Sequence, residues 1–173
     1  MSAIRMASTR DDVLQLPVSV SADELVGLLQ GAYRRPHGKR VGLASLGRLF
    51  QSDDDRLLAT VKVAEALGFA ELSGGELELT PVGRAFAAGP SHDRKKIFAE
   101  QLQRAVPEVD LIKGKVASHP RRRVLLAEVV DDLNELHPTK DVEKGLLQVI
   151  DWCRYAGLFD YDDRTRQISI AAA

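Results

Sequence analysis

One pattern occurs twice in this chain, and the repeat limits what the chain can fold into. Leu57-Leu58 and Ala64 to Leu72 lead into Gly74-Gly75 and then Leu77-Glu78-Leu79. Later, Leu146-Leu147 and Cys153 to Tyr161 lead into a polar stretch and then Ile168-Ser169-Ile170. Gly68 and Gly157 close the two helical runs at a spacing of 89 (157 − 68), the same as that between Leu58 and Leu147 (147 − 58). Helix, glycine, short strand, polar turn and short strand form the end of a winged-helix unit. The predicted fold is therefore mainly α with small β-hairpins, as tandem winged-helix units joined by a long central helix. Two such units imply an adaptor that binds something rather than an enzyme built around a pocket.

The pattern along the chain divides it into four parts. Residues 1–18 are polar and unpatterned and read as an arm or linker. Residues 19–90 form the first unit, which opens on a Ser21-Ala-Asp-Glu24 capping box with Leu25, Leu28 and Leu29 on one helical face ending near Gly31. Ser52 is expected to start a third helix with Asp53, Asp54 and Asp55 in its first turn, where the helix dipole favours anions. Phe69–Leu72 and Glu76–Leu79 read as a hairpin around Ser73-Gly74-Gly75, and Thr80-Pro81 as the start of a further helix. Residues 91–119 form the central connection, opened by Ser91 and ended or kinked at Pro107. Residues 120–173 form the second unit. It is read as a helix carrying Val124, Leu125, Val129 and Leu133, then His137-Pro138-Thr139, a helix from Val142 to Gly157, and a hairpin over Leu158–Tyr161 and Gln167–Ile170.

Composition narrows the function classes. A net charge of −1 gives no overall pull toward nucleic acid or an anionic membrane. One cysteine cannot form an internal disulfide, which suits a reducing compartment. No apolar run reaches the roughly 18–20 residues that span a bilayer, and the first residues lack the apolar core of a secretory signal. The expected location is cytoplasmic, or the inner face of a membrane through a larger assembly, without direct membrane insertion.

Chemistry-bearing motifs are sparse. The sequence holds no Walker A loop and no Gly-Xaa-Gly-Xaa-Xaa-Gly, so the chain alone is not expected to bind or hydrolyse ATP. His37, His92, His119, His137 and Cys153 share no metal-ligand spacing, so no metal or cofactor is expected. Cys153 lies in the apolar stripe of a helix and reads as a buried structural thiol. Asp160-Tyr161-Asp162-Asp163 lacks the length and closing glutamate of a calcium loop and reads as an acidic turn. No catalytic residue is assigned.

DNA is the sharper question. The helix before the wing often enters the major groove, where phosphates require Lys and Arg. Residues 53–68 set Asp53, Asp54, Asp55 and Glu65 against Arg56 and Lys62, a net of −2. Residues 141–157 set Asp141, Glu143 and Asp151 against Lys144 and Arg154, a net of −1. Nucleic acid is therefore disfavoured, and a tandem winged-helix transcription regulator is the alternative function. Basic clusters lie elsewhere: Arg34, Arg35, Lys39 and Arg40; Arg94-Lys95-Lys96; and Arg121, Arg122 and Arg123. The first and last of these are candidate patches for an acidic partner.

Two stretches carry a resemblance. One is Leu77-Glu-Leu79-Thr80-Pro81-Val-Gly83-Arg84-Ala-Phe86, with Asp93 to Phe98 and the Val106-Pro107 break. The other is Ile150-Asp151-Trp152-Cys-Arg154-Tyr155-Ala156-Gly-Leu158-Phe159-Asp160-Tyr161-Asp162. Together they resemble the AAA-associated C-terminal domain, which in that family follows the ATP-binding cassette of nitrate-, sulfonate- and bicarbonate-type importers. The resemblance runs from about Val18 to Ile170, here without the cassette. It implies an accessory, regulatory protein-interaction role whose partner is an ABC transporter ATP-binding subunit or permease. A homodimer is left open. Its signature positions in this chain are Arg84, Asp151, Trp152, Arg154, Tyr155, Asp160 and Tyr161. Physically, Trp152 should be buried, with Tyr155 on the same face packing between the units. Arg154 has Asp151 and Asp160 within reach, and Arg84 is placed to brace the first unit.

Overall fold

The computed structural model describes residues 19–35, 40–136 and 142–172. The expected arm over residues 1–18, together with Lys39, His37, His137, Pro138, Thr139 and Asp141, lies outside the described residues.

The described chain is mainly helical, with two small antiparallel sheets. Helix α1 (Ala22–Tyr33) leads to strand β1 (Arg40–Gly42), α2 (Leu43–Phe50), α3 (Asp54–Ala66), β2 (Ala70–Ser73) and β3 (Glu76–Leu79). Helices α4 (Pro81–Ala88), α5 (Ser91–Ala105) and α6 (Pro107–Ser118) follow. Then β4 (Arg123–Leu125), α7 (Leu126–Leu136), α8 (Val142–Ala156), β5 (Phe159–Asp162) and β6 (Gln167–Ile170) repeat the earlier order. The sheets run β1-β3-β2 and β4-β6-β5, so each hairpin is completed by a strand from the far side of two helices.

Local chemistry sets these elements. Ser21 and Glu24 form the expected capping box, with Ser21 Oγ accepting from Glu24 N–H at 3.2 Å and Glu24 accepting from Ser21 N–H at 2.8 Å. Thr80 Oγ1 caps α4 by accepting from Gly83 N–H, and Pro81 occupies the first turn, where no amide is needed. Gly68 and Gly157 follow α3 and α8 at φ of 75° and 73°, left-handed positions that release the chain into β2 and β5.

Several expectations are corrected. Asp53, not Ser52, caps α3, its carboxylate accepting from Arg56 N–H at 2.7 Å. Helix α1 passes through Gly31 to Tyr33. Val124 and Leu125 lie in strand β4 rather than in a helix, and α7 starts at Leu126. The central connection breaks at Pro107, one of the two outcomes expected there: Val106 adopts φ −117°, ψ 95° and separates α5 from α6. Beyond the boundaries expected, helix α6 packs on β4, β6 and α8.

One apolar core runs through both halves. Phe69 and Phe86 meet at 4.8 Å between ring centroids, Phe98 of α5 sits 6.0 Å from each, and Tyr155 of α8 stands edge-on to Phe98 at 5.4 Å. This chain of rings joins the first sheet to α8 by offset and edge contacts, which aromatic quadrupoles favour.

Candidate functional site

The signature residues divide by depth. Trp152 is fully buried, and its Nε1–H donates to Val20 O at 2.8 Å. Gln148, one turn earlier on the same face of α8, accepts from Val20 N–H at 2.6 Å. Both backbone polar groups of Val20 are thus held by one helix, 128 and 132 residues away in sequence. Tyr155 lies half-buried between Phe98 and Lys95, whose Nζ stands 5.9 Å from its ring centre. Arg84 turns back on the end of β3, donating from Nε and Nη2 to Leu79 O at 3.2 and 3.1 Å. The preceding residue needs to be glycine: a Cβ on Gly83 would stand 1.8 Å from Phe69 O.

The outer signature residues do not converge on one point. Asp151 and Asp160 are exposed. Arg154 faces Asp163 at 3.9 Å, an exposed pair, rather than Asp151 or Asp160. Tyr161 is half-buried and hydrogen-bonded with Arg166, whose pKa is raised chiefly by Glu143 and then by Tyr161. In the turn between β5 and β6, Asp162 accepts backbone N–H bonds from Thr165 and Arg164, and these hold its carboxyl below the usual range.

Burial pushes the Cys153 thiol up to about 12, so the thiolate that would attack is suppressed. Among the described residues no three His, Cys, Asp or Glu side chains cluster as metal ligands.

The outward stripes of α3 and α8 match in one respect. Leu57 and Leu146 are buried, while the following Leu58 and Leu147 are 40% and 37% exposed. Around Leu58 stand Asp54, Asp55 and Lys62, with Arg56 drawn onto Glu24 of α1. Glu143, Lys144, Asp151 and Arg154 surround Leu147. Neither stripe is a run of cations.

The outward sheet faces differ. In the first sheet Arg40 of β1, Glu78 of β3 and Glu71 of β2 form one cross-strand row, and Gly42, Glu76 and Ser73 the next. Arg40 Nε donates to Glu78 Oε2 at 3.0 Å. The corresponding rows of the second sheet are Arg123, Ser169 and Asp160, then Leu125, Gln167 and Asp162. Arg121, Arg122 and Arg123 are exposed and have no ion-pair partner among the described residues. Arg34 and Arg35 are exposed at the end of α1 while Arg40 is paired with Glu78, so the first predicted basic patch is partly neutralised and the second is not. Sequence reasoning missed Leu125, Gln167 and Ser169. The alternation Gln167-Ile168-Ser169-Ile170 was the available signal, but with β4 read as helix nothing identified what lay beside it.

The family profile of the C-terminal AAA-associated domain matches residues 44–162. No curated protein and no solved structure matches the chain.

Proposed function

The chain belongs to the C-terminal AAA-associated domain family, and from that membership we propose a non-catalytic regulatory module that docks on an ABC-type transporter ATPase. Its partner is the ATP-binding subunit or the permease, reached from the cytoplasmic side. The proposed architecture is a tandem of winged-helix units. The first comprises α1 to β3 with α4 behind it. The second is drawn from Pro107 rather than from residue 120, which the packing of α6 against β4, β6 and α8 supports. Helix α5 links the two.

The observation that carries this reading is the outward surface of the two third helices. Each shows one exposed leucine at the same place in the repeat, ringed by charges of both signs. Such a surface suits a protein partner, with an apolar contact inside a polar rim. It does not suit a duplex: Lys62 is the one α3 cation clear of an ion pair among the described residues, and Asp54 and Asp55 lie beside it. Among the described residues no helix is long and apolar enough to cross a membrane, so contact with a permease would run through surface docking.

The test is a pull-down and ATPase assay with the ATP-binding subunit encoded beside this chain, using the full chain. Association with a changed hydrolysis rate is expected, with no hydrolysis by the chain alone. A folded chain that neither binds the subunit nor alters its rate would remove the reading. Tight, salt-resistant binding to a specific duplex would replace it with the regulator.

A further inference from the structure

The two sheets present the same backbone with opposite readiness to bind. In the first, the central strand carries Glu76 and Glu78, and Glu78 engages Arg40. In the second, the central strand carries Gln167 and Ser169, and Arg123 beside them has no carboxylate partner among the described residues. Arg121 and Arg122 come directly before it in the turn after α6. Arg122 is held there at φ 53°, a left-handed conformation unusual for a side-chain-bearing residue. His119, Arg121, Arg123, Leu125, Thr165 and Gln167 line a groove of about 740 Å³. Leu125 in it is 43% exposed.

We propose that this face of the second sheet is a docking site for an extended acidic segment of a partner protein, with carboxylates on Arg121 and Arg123 and an apolar side chain on Leu125. The inference rests on the reading of the chain as a protein-interaction module and names the surface used. Glu128 accepts from Leu125 N–H at 3.2 Å, covering the free edge of β4 there. The segment therefore lies across the sheet face rather than joining as a fourth strand. The mixed charges choose between partners. Asp160 and Asp162 stand on the same face and Glu128 lines the groove. A continuous phosphate backbone or an anionic bilayer would meet these carboxylates, whereas a peptide can place its acids on the arginines and its amides on Gln167, Ser169 and Thr165.

The experiment titrates a fluorescein-labelled peptide of alternating aspartate and leucine into the full chain at low salt, read by anisotropy. Parallel titrations use random duplex DNA and phosphatidylglycerol vesicles. Wild type is expected to bind the peptide, with R121E/R123E weakening it about tenfold or more and R40E leaving it unchanged. These exposed sites should leave circular dichroism unaltered. Absence of peptide binding, equal binding by R121E/R123E, an equal loss in R40E, or tighter binding of DNA or vesicles than of peptide would each overturn the proposal. No ATPase is present in this assay, so its failure is separate from that of the pull-down.

Discussion

The outer face of β3 carries Glu76 and Glu78; the outer face of β6, at the matching place in the second sheet, carries Gln167 and Ser169. The strand order and the pairing geometry are the same, and so is the arginine that opens β1 and β4. What changes is whether that arginine already has a partner. In the first sheet Arg40 and Glu78 satisfy each other across the strands, as opposite charges facing one another do, while Glu71 and Glu76 face solvent. In the second the scaffold leaves cations, amides and a leucine toward solvent. A repeated framework can thus pair the arginine of one sheet and leave that of the other unpaired through one residue of the central strand, Glu78 against Ser169.

The interiors differ as well. The first half is centred on Phe69 and Phe86, the second on Trp152 and its hold on Val20. Trp152→Ala should produce the largest effect on stability, about 3–5 kcal/mol, by emptying a fully buried site and stranding the Val20 carbonyl. Chemical denaturation measures it. Trp152→Phe should lose less, because it keeps most of the volume and removes only the N–H. Near-wild-type stability in the alanine variant would mean that the second half does not depend on this residue, and the contrast between the interiors would fall.

A smaller effect tests the equivalence of the halves. Gly68 and Gly157 occupy matching left-handed positions, where any side chain costs about 1–2 kcal/mol. Gly68→Ala and Gly157→Ala should therefore destabilise by similar amounts in thermal unfolding. A much larger loss at Gly68, whose added Cβ would lie 3.5 Å from Gln101 Oε1, would show that α5 ties the first half more tightly.

The smallest effect is the share of the acid pH dependence that Glu24 contributes from the first half, beside that of Asp162 in the second. Burial tends to raise the Glu24 pKa, but hydrogen bonds from Arg56 and Ser21 outweigh it and hold the carboxyl below 4.5. A depressed folded pKa stabilises above the unfolded value and is lost as pH falls through the folded one. Stability should therefore decline as pH drops below about 4.5, and Glu24→Gln should flatten that part of the profile. An unchanged acid limb in the variant would assign the decline elsewhere.

Both hairpins were legible because strand residues flank glycine or polar turns, and so were the caps at Ser21 and Thr80, because their partners lie within one turn. Strands β1 and β4 were not legible. Three residues hold too little alternation to register, and in Val124-Leu125-Leu126 a strand runs into a helix with no polar break. The burial expected of Trp152 was readable from a large aromatic sharing one helical face with Tyr155, whereas its partner Val20 was not, since no local rule links residues that far apart. Arg154 was matched to nearby acids in sequence, but the turn brings Asp163 to it instead. The open sheet face needed β4 to be known first.

The hold of α8 on Val20 also sets an order of assembly. A ribosome delivers Val20 first and Trp152 132 residues later. Until then the Val20 amide and carbonyl have only water, although Leu25, Leu28, Phe69 and Phe86 can already gather. The seam between the first described residues and α8 therefore closes late, by a contact between distant parts of the chain. A nascent chain halted before α8 lacks that seam and leaves the Val20 amide and carbonyl to water.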